Sequence, residues 1–234
     1  MVSSPSGLLT FFVRLSARNR NSPVLIFQRL GALLALTVLC LPAALGAGQT
    51  IVVVGDSLSS GYGIGAEQSW VAMLEDRLRS EGYGHNVVNA SIAGDTSAGG
   101  LARLPRLLEQ HDPDLVVIEL GGNDGLRGHP VATLRDNLAK MIERSRESGA
   151  EVLLAGIQIP PNYGGSYTDA LAAVYPELAQ RYDVPLVEFL LEGVALNDEL
   201  MQPDGIHPNA AGQEVVFANV WSVLGPMLAA RDAP

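Results

Sequence analysis

Ser57 follows Gly55 and Asp56 directly after the apolar run Ile51-Val52-Val53-Val54, so a hydroxyl stands where a buried strand ends. A serine hydroxyl attacks a carbonyl only when a base removes its proton. His207, in Asp204-Gly205-Ile206-His207-Pro208-Asn209, offers an imidazole that titrates near neutrality. Asp204, three residues earlier, can accept the other ring N–H and fix tautomer and orientation. Many serines only cap helices or close turns. A serine at a strand end with a distant Asp-x-x-His points instead to acyl transfer through a nucleophilic hydroxyl.

The elements that must position these groups are readable from hydrophobic periodicity. Thr50–Val54, Asn86–Ala90, Asp114–Leu120, Glu151–Ile157 and Pro185–Glu188 read as five strands. Between and after them, Ser69–Glu81, Ala98–Gln110, Val131–Ser148, Ser166–Arg181 and Ala210–Leu228 carry helical spacing. Pro105 is expected to bend or weaken its helix, and Gly149 to cap the one before it. Strands that are apolar throughout, each followed by a helix, call for a sheet covered on both faces. The fold class is therefore α/β: a three-layer α/β/α sandwich with a five-stranded, mainly parallel central sheet of flavodoxin-like type.

In such sheets ligands bind beyond the carboxyl ends of the strands. Three loops rich in glycine and short polar residues belong there: Gly55–Tyr62, Ser91–Gly100 and Gly121–Gly128. Gly121-Gly122-Asn123-Asp124-Gly125 holds more glycine than a turn requires, which favours a binding edge over simple turns.

Four segments together resemble the GDSL, or SGNH, hydrolases. Gly55-Asp56-Ser57-Leu58-Ser59-Ser60-Gly61-Tyr62-Gly63 is similar to the first block of that family, and Asn89-Ala90-Ser91-Ile92-Ala93-Gly94-Asp95-Thr96 to the second. Gly121-Gly122-Asn123-Asp124 resembles the third and Asp204–Asn209 the last, all in family order over about Gln49 to Leu228. Ile118–Gly128 and Pro160-Pro161-Asn162-Tyr163-Gly164 are similar to the secreted bacterial thioesterase/arylesterase/lysophospholipase branch. Ser60 stands where alanine is usual and Ala93 where serine is common; neither touches a catalytic role.

The resemblance implies a serine hydrolase of carboxylic esters and thioesters: Ser57 as nucleophile, His207 as base and Asp204 as its partner. It also implies an oxyanion hole of the Ser57 and Gly94 N–H groups and the Asn123 amide. The neighbouring Asp56, Asp95 and Asp124 read as scaffold. Ile157, Ile159, Pro160, Pro161 and Tyr163 form an apolar loop after the fourth strand, expected to line an acyl groove or else to pack on the core. The rival readings are a carbohydrate O-acetylesterase of the same fold and a non-catalytic binding module. No cofactor and no metal are expected, since there is no P-loop, H-E-x-x-H or dinucleotide-type glycine spacing. The absence of a G-x-S-x-G elbow argues against the α/β-hydrolase fold.

Arg29 precedes the uncharged run Leu30–Leu41, followed by Pro42 and the small residues Ala43–Gly48 around one leucine. That is the order of a secretory signal peptide, with cleavage expected after Gly46 or Ala47. The apolar run is short beside the roughly 20 residues that span a bilayer. Residues 1–47 are thus expected to be removed, leaving 48–234 as one domain, periplasmic or secreted and monomeric. Four of the 15 basic residues and none of the 25 acidic ones lie in 1–47, so the remainder holds 11 basic against 25 acidic residues, a net charge of −14. That balance disfavours nucleic acid and anionic membranes as partners and leaves a small acyl ester or thioester as the expected one. The single cysteine, Cys40, falls in the leader, so the domain holds neither a disulfide nor a cysteine nucleophile.

Overall fold

The computed structural model describes residues 49–231, and the expected export segment 1–47 lies outside them. Along the chain run β1 (Thr50–Gly55), α1 (Ser57–Ser60), α2 (Trp70–Glu81), β2 (Asn86–Asn89), α3 (Ser97–His111), β3 (Leu115–Glu119) and α4 (Gly122–Leu126). Then follow α5 (Val131–Glu147), β4 (Glu151–Ala155), α6 (Gly165–Ala172), α7 (Val174–Tyr182), β5 (Leu186–Val187) and α8 (Ala210–Arg231), with short 3₁₀ turns at Ala66–Gln68 and Pro161–Tyr163.

The strands form one sheet in the order β2-β1-β3-β4-β5, and every pairing is parallel. The chain leaves β1 toward one edge, then crosses back over it to β3. Right-handed crossovers then put α2 on one face and α3, α5 and α7 on the other. Accordingly α2 packs with α8, α3 with α5, and α5 with α7. Ile51–Val54 in β1 and Leu115–Ile118 in β3 are fully buried between these layers, which is why both read as apolar without alternation. Because the winding reverses between β1 and β3, the loops after them diverge and leave a crevice at their carboxyl ends.

Two expectations need correction in detail. The stretch Ser166–Arg181 is two helices, α6 and α7, not one. Pro176 lacks the N–H that the Ala172 carbonyl would need, so the chain restarts with the proline inside a new first turn. The glycine-rich stretches after β1 and β3 hold the short helices α1 and α4, too brief to show a period. Pro105 denies the Leu101 carbonyl its helical donor, yet α3 runs through it on an exposed face. Gly149 does close α5: at φ +94° its N–H meets the Arg146 carbonyl at 3.0 Å while Ala150 N–H reaches Ser145. Among the described residues no helix is long and apolar enough to cross a membrane.

Candidate active site

Gly55 ends β1 against the floor of the crevice. A Cβ there would lie 2.6 Å from Glu119 Oε2 and 2.8 Å from Ser59 Oγ, so only glycine brings the chain this close. Asp56 then caps α1, its Oδ1 accepting the Leu58 N–H at 3.0 Å. Ser57 is the first residue of that helix, where helix geometry leaves the backbone N–H without an intrahelical partner.

The histidine arrives from the loop before α8. Asp204 Oδ1 accepts the Ile206 and His207 N–H groups at 2.9 and 3.0 Å, and Gly205 turns the chain at φ +66°. Asn209 caps α8 through the Gly212 N–H at 3.0 Å. Gln202 ties this loop to the serine loop, its Nε2 donating to the carbonyls of Tyr62 (2.8 Å) and Pro208 (3.0 Å). The Tyr62 ring lies 4.6 Å from the His207 ring.

The three polar groups meet in a line. His207 Nε2 is 2.8 Å from Ser57 Oγ, and His207 Nδ1 is 2.6 Å from Asp204 Oδ2. Partial burial pushes the Asp204 carboxyl up, but the hydrogen bonds from the His207 ring and from the His207 and Ile206 N–H groups outweigh it. Its pKa is carried down to about 2. Asp204 is thus anionic wherever His207 can act as a base, and Nδ1 carries the proton that faces it. Nε2 is left as an acceptor for the Ser57 proton, the arrangement that activates a serine.

Two further donors surround the serine. Gly94 sits at φ +80° in the turn closed by the Asp95 N–H to the Ile92 carbonyl at 3.0 Å. Neither its N–H nor that of Ser57 is hydrogen-bonded within the described residues. Arg103 holds the Gly94 loop to the strand ends: its guanidinium bonds Asp95 (2.8 Å), the Gly55 carbonyl (3.2 Å) and the Ala90 carbonyl. Arg127 donates to the Gly94 carbonyl at 2.9 Å. Asp124, fully buried, accepts the Ser97 N–H (2.8 Å) and hydroxyl (2.6 Å), joining the start of α3 to α4. Asn123 donates its Nδ2 to Asp56 Oδ2 at 2.9 Å and lines the crevice beside Ser57 and His207.

Beneath the serine lies a second polar layer. Glu119, at the end of β3, is completely buried; its Oε2 accepts from Ser59 Oγ at 2.6 Å and from the Asp56 N–H at 3.2 Å. Trp70 Nε1 reaches Ser59 Oγ at 3.2 Å, and Gln213 from α8 accepts the Trp70 N–H at 2.9 Å. Burial, reinforced by the nearby Asp56 charge, drives the Glu119 pKa well above the usual carboxylate value. Burial also raises Asp56, to about 6, against the opposing bonds from Leu58 and Asn123.

The crevice is a cleft of about 350 Å³ reaching from Ser57 and His207 along the carboxyl edge. Ile157, Ile159, Pro160 and Pro161 form part of its wall, and Ile157 and Ile159 are also core residues, so both sequence alternatives hold for them. Tyr163 stands outside the wall, 42% exposed, beside Pro161. The wall is completed by Phe189, Leu191, Leu196 and Met201 from the segment between β5 and α8. Periodicity could not flag these, since the segment has none. Glu119 was visible as a lone acid in an apolar strand, a placement that requires a partner. Its partners, like those of Arg103 and Gln202, become visible only in three dimensions.

The GDSL-like Lipase/Acylhydrolase family matches residues 53–215. Esterase TesA of Pseudomonas aeruginosa is 54% identical over 199 residues, 85% of this chain and 98% of the relative. Thioesterase 1/protease 1/lysophospholipase L1 of Escherichia coli K12 is 47% identical over 182 residues, 78% of this chain and 86% of the relative. The crystal structure of TesA superposes with a TM-score of 0.74 at 56% identity, covering 76% of this chain and 99% of that one.

Proposed function

The chain belongs to the GDSL-like lipase/acylhydrolase family, and from that premise we propose that it is a serine esterase and thioesterase working through an acyl-enzyme on Ser57. The observation that carries this reading is the relay Asp204–His207–Ser57, with its 2.6 and 2.8 Å links.

In the first half-reaction Ser57 Oγ attacks the carbonyl carbon as its proton passes to His207 Nε2. Asp204 stabilises the imidazolium that results. The negative charge on the former carbonyl oxygen meets the Ser57 and Gly94 N–H groups and the Asn123 amide. One such donor is worth on the order of 3 kcal/mol in the transition state. His207 then gives its proton to the departing oxygen or sulfur. Water enters, and the same groups repeat the cycle to release the acid and restore Ser57. Ser57→Ala is expected to lower kcat by at least about 10³-fold with the fold retained. Unchanged turnover on aryl esters would sink the mechanism.

The substrates we assign are aryl esters, acyl-CoA thioesters and lysophospholipids. The apolar wall of Ile157, Ile159 and Pro160 supports an acyl chain rather than a sugar as the group held. Ile159→Asp is expected to shift the chain-length profile of p-nitrophenyl esters toward acetate; an unaltered profile removes these residues from the groove. We further assign residues 1–47 as a cleaved export signal and 48–234 as a monomeric periplasmic or secreted domain, on the Arg29–Gly48 pattern. A mature N-terminus near Gly48 in the exported protein is the expected result; an intact one refutes it.

A further inference from the structure

Asp56 lies next to the proposed nucleophile but belongs to neither the relay nor the expected oxyanion donors. Two hydrogen-bond donors converge on its carboxylate: Leu58 N–H on Oδ1 at 3.0 Å and Asn123 Nδ2 on Oδ2 at 2.9 Å. An acceptor at both ends is a property of a carboxylate; an asparagine in its place offers one acceptor and one donor. Asp56 is 2% exposed, so water does not substitute for either bond.

We propose that Asp56 is the positioning residue that sets the orientation of the Asn123 amide, and so makes Asn123 a donor toward the reacting carbonyl oxygen. A side-chain amide presents nitrogen on one side and oxygen on the other. The Asp56 carboxylate accepts hydrogen bonds and repels the amide oxygen, so it selects the rotamer with nitrogen inward. One Nδ2 proton is used on Asp56, and the second, bonded to nothing within the described residues, is left for the cleft that Asn123 lines. Turned over, the amide would present its oxygen to a developing oxyanion and oppose the reaction. Asp56 is itself fixed from behind, since its own N–H is bonded to the buried Glu119 at 3.2 Å and its other oxygen caps the helix that begins with Ser57. Its carboxylate therefore acts directly on one of the proposed oxyanion donors, Asn123, and holds the helix of Ser57 only through the Leu58 N–H.

This inference rests on the reading of Asn123 as an oxyanion donor, and a double-mutant cycle separates the two. Asn123→Ala is expected to lower kcat by about 100-fold with KM nearly unchanged. Asp56→Asn keeps an acceptor for Leu58 but turns a donor toward Asn123; it is expected to lower kcat by about 10- to 100-fold, again with little change in KM. In the Asn123→Ala background, Asp56→Asn should cost less than about threefold, because the group it acts through is already gone. Full multiplicative loss in the double variant makes Asp56 merely structural and overturns the inference. Wild-type kcat for Asn123→Ala overturns instead the oxyanion role beneath it. Should Asp56→Asn fail to fold, the Asn123 side-chain amide resonances of the wild-type protein decide the matter. One proton shifted downfield and slow to exchange is expected, and two fast-exchanging protons refute the pairing.

Discussion

Two carboxylates flank the serine–histidine pair from opposite environments. Asp204, on the rim, has a side chain 39% exposed and is held down to about 2 by three bonds from its own loop. Asp56, on the floor, is 2% exposed and burial lifts it to about 6 although two donors oppose that shift. The rim keeps its charge cheaply because water still reaches it. The floor holds its charge at a cost in stability, because desolvation is larger than the bonds returned. The rim group thus keeps its charge for the proposed relay while it also ties its own loop. The floor group must be fixed by structure on every side, and Glu119, Ser59 and Trp70 supply that frame.

The largest test of the contrast is Asp204→Asn. Comparable triads lose about 10⁴-fold in kcat when the aspartate becomes an amide, since the wrong histidine tautomer is favoured. A loss of that order is expected here on p-nitrophenyl esters, with the melting temperature within a few degrees of wild type. A large fall in stability instead would erase the distinction between rim and floor. The second test is Glu119→Ala, which strips the acceptor from Ser59 Oγ and the Asp56 N–H. A loss of about 3 kcal/mol, or roughly 6–12 °C in melting temperature, is expected. Glu119→Gln should lie within about 1 kcal/mol of wild type, because the amide keeps an oxygen that can accept from Ser59 Oγ and the Asp56 N–H. An equal loss from both variants would show that an acceptor oxygen at this position is not enough to hold the frame.

The contrast was only half legible in the sequence. Ser57, Asp204 and His207 announce themselves by residue type and by their place after a strand and before a helix. The parallel sheet is legible because Ile51–Val54 and Leu115–Ile118 have no polar face. The floor is another matter. The Glu119 contact with Ser59 joins residues 60 positions apart, and Asp56 meets Asn123 across 67. No local pattern records such pairings. The split at Ala173 differs again: Pro176 was there to be read, but the apolar spacing runs straight across it.

A third test uses pH. Asp56 binds a proton more readily in the folded chain, about 6 against 3.8, so between those values the folded state holds more protons than the unfolded one. Stability from this group is then greatest at or below about pH 4 and declines as pH rises through about 6, by up to about 3 kcal/mol. Among the neighbouring charges, Asp95 acts in the same direction on Asp56 and His207 in the opposite one. Denaturant unfolding across this window should show a flatter slope for Asp56→Asn than for wild type. Identical slopes would mean that burial does not lift the Asp56 pKa above its value in the unfolded chain. Asp204 contributes with the opposite sign: its lowered pKa gives stability above about pH 4 that is lost as pH falls toward about 2.

The smallest expected effect comes from the joint between the two loops of the site. Gln202 bonds the Tyr62 and Pro208 carbonyls, and Gly63 packs so tightly on it that a Cβ would lie 2.2 Å from Gln202 Oε1. This joint sets the separation of Ser57 from His207 without contacting either side chain. Gln202→Ala removes two partly exposed bonds, so its cost in stability should be below about 1 kcal/mol. Because the proposed relay uses the 2.8 Å approach of Nε2 to Ser57 Oγ, kcat should fall further than stability does, by roughly 3- to 10-fold. A parallel small loss in both would make Gln202 an ordinary loop residue. A kinetic loss at constant stability would show that the rim, open to water as it is, depends on a fixed hinge as much as the floor depends on burial.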